Sequence, residues 1–420
     1  MSEHMAHLTR RGFLGLATAG AALAAATRQS AAGAEASKAG PAAGAPPIEP
    51  AERAARVAKL QSLMQRDKVA ALLVEAGSSL EYFTGIRWWR SERTTAALIP
   101  AIGRVVVVTP FFEVPSVQES LDIEADVRPW HEDRSPFALI ADATRAYPAA
   151  APLAVEWTTR YFIVDHLRGE PGFSREVVSG EALVNACRMI KSPAELALMQ
   201  DSNDITLGAI RHTYAETRVG MTADDIRAIL EGKIRELGGA EPFSLVLLNE
   251  ASAYPHGTEK PQSVRAGSVV LVDTGCKRHG YSSDISRTWV VGAPTRRQRE
   301  VWDLVKRGQE ICLQAAKLGA PAGALDVAVR NHYESRGWAK DYGLPGTSHR
   351  TGHGIGMDVH EPPNLMRADR TPLAAGMCFS NEPGIYIPGE FGVRMEDIWH
   401  MTEQGPRLFT PLAKSIDDPV

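Results

Sequence analysis

Apolar positions recur with two periods along this chain, and the places where the period changes mark its organisation. Between Glu52 and Arg66, residues Val57, Leu60, Leu63 and Met64 fall at helical spacing. Short continuous apolar runs follow. Ala70 to Val74, Ala96 to Pro100 and Val105 to Thr109 read as buried strands, the last two joined by a turn at Gly103. Leu153 to Glu156 reads as another strand and leads into a helix near Thr159 to Leu167. Strands alternating with helices over residues 51–186 predict an α/β N-terminal domain.

The pattern lengthens after Ala186. Ser192 followed by Pro193 is a helix start, with serine as cap and proline in the first turn. Residues 224–237 place Ile226, Ile229, Leu230, Ile234 and Leu237 on one helical face. Thr222 with Asp225, and Thr295 with Gln298, have the spacing of capping boxes. The second of these predicts a helix running to about Leu318, and Leu325 to Ser335 predicts a fourth. Between and after the helices, strands are expected at Phe243–Leu248, Ser268–Asp273, Ile285–Val291, Met377–Asn381, Ile385–Ile387 and Val393–Met401. Helices flanking a largely antiparallel sheet predict an α+β domain over residues 187–420. The segment from Arg265 to Gly275 echoes that from Ala374 to Gly384. Each reads Ala-Gly, a strand, a carboxylate, one residue and a glycine, as in a duplicated half-domain.

The ends and the composition narrow the class. Residues 35–50 are rich in Ala, Gly and Pro and read as a linker. Before them, Arg10-Arg11 precedes a modest alanine-rich apolar run, Gly15 to Ala26, and small residues at Ala32-Gly33-Ala34. This resembles a twin-arginine export signal over residues 1–34, implying a periplasmic or secreted protein. The apolar run is shorter than the roughly 20 residues a membrane span needs, so the mature form is not expected in a membrane. With 46 Lys and Arg against 50 Asp and Glu, no basic excess favours nucleic acid. The four cysteines, Cys187, Cys276, Cys312 and Cys378, have neither zinc-knuckle nor disulfide-framework spacing.

Candidate chemistry gathers towards the C-terminus. Asp273 and Asp284 stand across a loop holding Gly275 and Gly280, and a hairpin there can bring both to one end of a sheet. Glu382 and Glu396 can meet through the hairpin around Gly389. His353 lies between Gly352 and Gly354, where a backbone can approach closely. Singly, each has an ordinary reading as a turn or loop residue. Together they offer four carboxylates and an imidazole. Two divalent cations about 3.5–4 Å apart need carboxylates that bridge them. Oxygen donors with one imidazole suit Mn, Co, Fe or Zn. Trp88 and Trp89, with Arg87 and Arg90 beside them, could form a rim that grips substrate, or serve as core or dimer contacts.

The joint set of motifs carries a resemblance. Val272-Asp273-Thr274-Gly275, Ser283-Asp284 to Thr288, Gly352 to Glu361, Asn381 to Tyr386 and Val393 to Asp397 look like the pita-bread metallopeptidases. Within them the chain is most similar to the Xaa-Pro aminopeptidase and Xaa-Pro dipeptidase (prolidase) branch, from about Ile48 to Leu412. The N-terminal half is similar only in pattern, notably Leu80 to Gly85. The resemblance implies an α/β creatinase-like N-terminal domain, a pita-bread catalytic domain and a homodimer or higher homo-oligomer. It implies two divalent metal ions, manganese first, with cobalt or zinc as alternatives. Asp284 and Glu396 would bridge them, Asp273 would hold one, and His353 and Glu382 the other. His256 and His360 would lie near the scissile bond, one or the other stabilising the oxyanion together with one metal, Glu382 would also shuttle a proton to the leaving nitrogen, and Arg394 would steady a ligand carboxylate. The implied partners are proline-containing peptides. Some dipeptidases of this family place an arginine four residues after the second histidine to hold the dipeptide carboxylate; here that position is Asn364, and Arg367 is the nearby substitute. Rival readings are another hydrolase or lyase reaction on the same metals, such as phosphotriester hydrolysis, a metal-free enzyme like creatinase, and a non-catalytic binding protein on this fold.

Overall fold

The computed structural model describes residues 44–258 and 260–420. The expected export signal, 1–34, and most of the expected linker lie outside the described residues. The linker's last part is not free: Ile48 is buried, and a helix starts at Pro50.

The N-terminal lobe runs α1 (Pro50–Asp67), β1 (Ala71–Glu75), α2 (Ser78–Thr84), β2 (Ala96–Pro100), β3 (Val105–Pro110), α3 (Val114–Ser120), β4 (Ala125–Trp130), α4 (Pro136–Thr144), β5 (Leu153–Val155), α5 (Tyr161–Gly169), β6 (Val177–Ser179) and α6 (Glu181–Arg188). Its six strands form one mixed sheet in the order β4-β3-β2-β1-β5-β6. The apolar runs become its central strands, buried on both faces as an α/β sheet requires. Sequence pattern missed β4 and β6, whose residues are mostly half-exposed and lack a continuous apolar run. The segment 80–84 is the helix α2, ended by Gly85 in the left-handed region at φ 84°.

The second lobe runs α7 (Pro193–Glu216), α8 (Ala223–Glu236), β7 (Ala240–Leu248), β8 (Val269–Arg278), β9 (Tyr281–Ser282), β10 (Ile285–Val290), α9 (Arg296–Ala315), α10 (Gly323–Glu334), β11 (Gly352–Gly354), β12 (Glu361–Leu365), β13 (Cys378–Asn381), β14 (Gly384–Ile387), β15 (Phe391–Arg394), β16 (Asp397–Thr402) and β17 (Gly405–Leu408). Both expected capping boxes form, at Thr222 with Asp225 and at Thr295 with Gln298; Ser192 forms a third with Glu195. The sheets are β10-β8-β7, with β9 on β8, and β12-β11-β13-β16-β17. Each half therefore has a helix pair followed by antiparallel strands, with β8 and β13 in matching central places. This is the duplication that the sequence echo suggested.

Two expected strands differ. The one ending at Asp273 continues to Arg278, because β7 and β9 pair with it beyond that point. The one expected at 393–401 is two strands, β15 and β16, in different sheets, with Met395 and Glu396 at the break. The boundary expected between residues 186 and 187 falls inside α6. One apolar core passes through both lobes there: Leu183, Val184 and Cys187 pack in a cluster with Leu198, Tyr281 and Ile355. Burying each leucine-sized side chain contributes about 1.5–3 kcal/mol, so this shared core ties the lobes to each other.

Candidate metal centre

Strand parity delivers the first two carboxylates. In the β8–β10 ladder, Asp273 stands opposite Ser286 and Thr274 opposite Ile285. Asp284 immediately precedes β10, so it shares a face with Ser286 and hence with Asp273. Gly275 lies behind them, where an added Cβ would meet Ser283 O at 2.0 Å and Phe243 at 2.5 Å. No other residue fits without moving the ladder.

The other two flank a joint in a bent hairpin. The β13–β16 ladder ends at Asn381 opposite Asp397, and the β14–β15 ladder begins at Gly384 opposite Arg394. Glu382 and Glu396 occupy the gap between the ladders. Their amides are tied down: Glu396 N donates to Ser286 O at 3.0 Å and Glu382 N to Thr351 O at 2.9 Å. The strand break at Glu396 is what aims its side chain at the site.

His353 comes from β11. Its amide donates to Ser380 Oγ at 2.9 Å, and Nδ1 lies 3.0 Å from Gly354 O. That contact makes Nδ1 the protonated nitrogen and leaves the Nε2 lone pair facing the acids. Nε2 is 3.3 Å from Glu382 Oε1, 3.6 Å from Asp284 Oδ2 and 3.9 Å from Glu396 Oε1. Gly352 and Gly354 permit this approach, since a Cβ on either would lie within 2.5 Å of a neighbouring carbonyl oxygen.

All five predicted ligands thus meet. Asp273, Asp284 and Glu396 form one group of mutually close donor atoms, and His353, Glu382 and Glu396 form another, with Glu396 common to both. Asp273 Oδ1, Asp284 Oδ1 and Glu396 Oε1 are buried without a hydrogen-bond partner. Unpaired buried anions cost several kcal/mol each. Burial first, then the neighbouring carboxylates, push Asp284 and Glu396 well above the usual range. Burial likewise raises Glu382 to about 7, against the pull of Arg394. Burial, with His360 next, keeps His353 neutral. Unpartnered oxygens and a free imidazole nitrogen, with one acid shared between the groups, are the donor set that a pair of divalent cations requires.

The surrounding cavity is about 940 Å³, and His256 and His360 both line it. The rings of His360 and His353 are 4.3 Å apart, edge to face. Arg394 holds Asp273 Oδ2 at 2.6 Å, Ser286 Oγ at 3.0 Å and Tyr386 OH at 3.1 Å. Ser286 in turn donates to Glu396 Oε2 at 2.8 Å.

Two expected substrate contacts lie elsewhere. Trp88 stacks on Trp89 with centroids 5.0 Å apart, in a separate groove of about 750 Å³ that, among the described residues, shares only His360 with the cavity. Arg367 does not line the cavity: its guanidinium pairs with Asp341 at 2.6 Å and covers the Tyr342 ring. Two residues were missed. His349 lines the cavity, with Nε2 2.7 Å from Tyr386 OH, and burial lowers its pKa to about 3. Arg350 beside it also lines the cavity. Both sit in the same glycine-rich motif as His353, and their position within one turn of chain from a ligand was the available signal.

The chain matches two known families. Residues 197–403 match the model of metallopeptidase family M24, and residues 56–190 that of the creatinase/prolidase N-terminal domain. It is 30% identical over 367 residues to the Xaa-Pro dipeptidase of Lactobacillus helveticus, covering 85% of this chain and 97% of that protein. Among solved structures it resembles the dipeptidase PepE from Mycobacterium ulcerans (TM-score 0.79, 30% identity, 87% of this chain and 97% of that one). It also resembles the X-Pro aminopeptidase from Thermotoga maritima (TM-score 0.74, 27% identity, 86% and 98%). The two matched segments correspond to the two lobes, and the M24 segment holds every group of the acidic site. The chain therefore belongs to metallopeptidase family M24, the pita-bread Xaa-Pro peptidases, and carries their creatinase/prolidase N-terminal domain.

Proposed function

We propose that this chain is a dinuclear-metal exopeptidase that hydrolyses the Xaa-Pro bond, in dipeptides or at the N-terminus of longer peptides. The observation that carries the reading is the pair of acidic groups sharing Glu396, with three buried carboxylate oxygens left unpartnered. In this reading Asp273, Asp284, His353, Glu382 and Glu396 would hold the two ions. Bound divalent ions would supply Lewis acidity towards the scissile carbonyl and hydroxide near neutral pH.

The chain's own residues do the rest. His256 and His360 both line the cavity and offer N–H donors to the developing oxyanion. Glu382 is the proton carrier towards the leaving nitrogen. Arg394 holds Asp273 in one orientation and, through Ser286, also steadies Glu396. Proline nitrogen has no N–H to offer a peptidase, so recognition must come from shape. Phe243, Val359 and Met366 supply apolar wall beside the acids.

Manganese is the proposed native ion, and residues 1–34 the proposed twin-arginine signal of a periplasmic or secreted homodimer. Loss of export on replacing Arg10 and Arg11 by lysine tests the signal, and sedimentation tests the dimer. The decisive assay reconstitutes the protein with Mn, Co or Zn and offers Xaa-Pro dipeptides and Xaa-Pro-Yaa peptides, with Asp284→Asn as control. Cleavage before proline that Asp284→Asn abolishes is expected. Metal-loaded protein that leaves every such bond intact would overturn the reading.

A further inference from the structure

The loop that carries His360 is held in place from the other lobe. His360 is exposed, and among the described residues its ring makes no hydrogen bond; it packs edge to face on His353. The aim of the ring therefore depends on the backbone of residues 355–360, between β11 and β12. The first half of that stretch is fixed within the second lobe. Gly356 N donates to Asp358 O at 3.0 Å, Ser282 N to Gly356 O at 2.8 Å and Ser282 Oγ to Met357 O at 3.2 Å. Gly356 leaves no room for a side chain: an added Cβ would lie 2.8 Å from the Glu361 carboxylate and 2.9 Å from Lys191 Cε. The second half is different. Among the described residues, no backbone hydrogen bond outside the strands involves Val359 or His360.

What holds the second half is the Asp358 carboxylate. Oδ1 accepts from Ser78 Oγ at 2.5 Å, and Oδ2 accepts from Arg188 Nη2 at 2.8 Å. Ser78 opens α2 and Arg188 closes α6, so both donors belong to the N-terminal lobe. Arg188 is itself buried and locked from behind, with Nη1 donating to Ser79 Oγ at 3.0 Å. A fully exposed ion pair contributes little, because water competes for it and two free side chains must be ordered. Here the arginine is already ordered and desolvated, and the acid has a neutral donor on its other oxygen. Two helices of one lobe thus grip a single side chain of the other, two residues before His360.

We propose that Asp358 is a positioning residue through which the N-terminal lobe aims His360 at the reaction space. The proposal rests on the oxyanion role given to His360 above. It adds a task for the lobe that supplies none of the five grouped donors. Placement matters because a misplacement of about 1 Å can cost on the order of 10²-fold in rate.

The test uses metal-loaded protein and an Xaa-Pro dipeptide. Asp358→Ala should lower kcat by roughly 10- to 100-fold, with KM and metal content equal to wild type, because the group it displaces acts in the transition state. Asp358→Asn keeps one acceptor and should recover part of the loss. Ser78→Ala cuts only the bond from α2 and should show a smaller loss. In a His360→Ala background, Asp358→Ala should have no further effect, since the residue it positions is gone. Hydrogen exchange of metal-free protein gives a readout without turnover: Asp358→Ala should speed exchange over residues 355–361 and leave α9 as in wild type. Wild-type kcat in Asp358→Ala, or the same fold loss with and without His360, overturns the assignment. Failure of the parent reading is distinct: metal-loaded wild type would then cleave no such bond, and unchanged exchange over residues 355–361 would still overturn the positioning role by itself.

Discussion

Two acidic sites are equally buried in this protein and could hardly be treated more differently. Glu361 accepts from Arg188, from Lys191 Nζ at 3.0 Å and from Asp358 N at 3.1 Å. Burial alone would raise its pKa; the two cations outweigh it and hold the group at about 2. Asp284 and Glu396, a few residues away in space from the same histidine loop, are driven the other way by burial and by each other. Where the fold supplies its own cations, the acid is structural. Where it withholds them, the site is built to take cations from solution. The contrast is sharpest between neighbours in sequence: Glu396 faces the cavity with an unpartnered oxygen, while Asp397 points into the core and accepts from Arg287, Gln309 and Thr410.

The largest effect should come from Asp284→Asn. Peptidase activity should fall by at least ~10³-fold, as when a member of a concerted site is removed, and stoichiometric metal uptake should be lost. The same change should raise the melting temperature of metal-free protein, because one of four crowded acids no longer repels the others. A lower melting temperature would break the comparison. Glu361→Gln should do the opposite. It strands the buried Lys191 and leaves Arg188 with Asp358, and should cost about 3–5 kcal/mol in denaturant unfolding, to the same extent with and without metal.

Metal addition should come next in size. At 100 times its dissociation constant a divalent ion should add about 2.7 kcal/mol. Thermal melts should show this increment in wild type and in Glu361→Gln, and not in Asp284→Asn. The smallest effect is on pH dependence. Glu361, lowered from 4.5 to about 2, contributes stability that is present above pH 4.5 and lost as pH falls towards 2. Glu382, raised from 4.5 to about 7, acts in reverse: metal-free protein should lose stability, on the order of 1–3 kcal/mol, as pH rises from 4.5 through 7. Unfolding titrations should show the acid limb vanish in Glu361→Gln, and the neutral limb vanish when metal is bound.

The helix starts were legible because capping is local: a hydroxyl and an acid or amide three residues on decide it. Four of the five grouped donors were legible because each borders a strand end or a glycine pair; Asp273, inside β8, was legible from its Val-Asp-Thr-Gly motif. What was hidden depends on pairing between distant segments. Sequence proximity to Asn364 favoured Arg367, but the β11–β12 ladder brings Arg350 to Asn364 and leaves Arg367 with Asp341. The strands β11, Gly352–Gly354, and β12, Glu361–Leu365, carry glycines and prolines in place of an apolar period, so no pattern announced them. The division of Glu396 from Asp397 follows from a break between sheets that alternating apolar residues across 393–401 concealed.

The β8–β10 ladder also has a bearing on assembly. Side chains on a strand alternate, so a slip of one residue would turn Asp273 to the far face and put Val272 in its place. A chain closed in that misaligned form would lose the seat that Asp273 forms with Asp284 and Glu396. Ion capture is thus a checkpoint on correct pairing: refolding with divalent ions present rewards only the aligned ladder, and an ion titration counts the molecules that reached it.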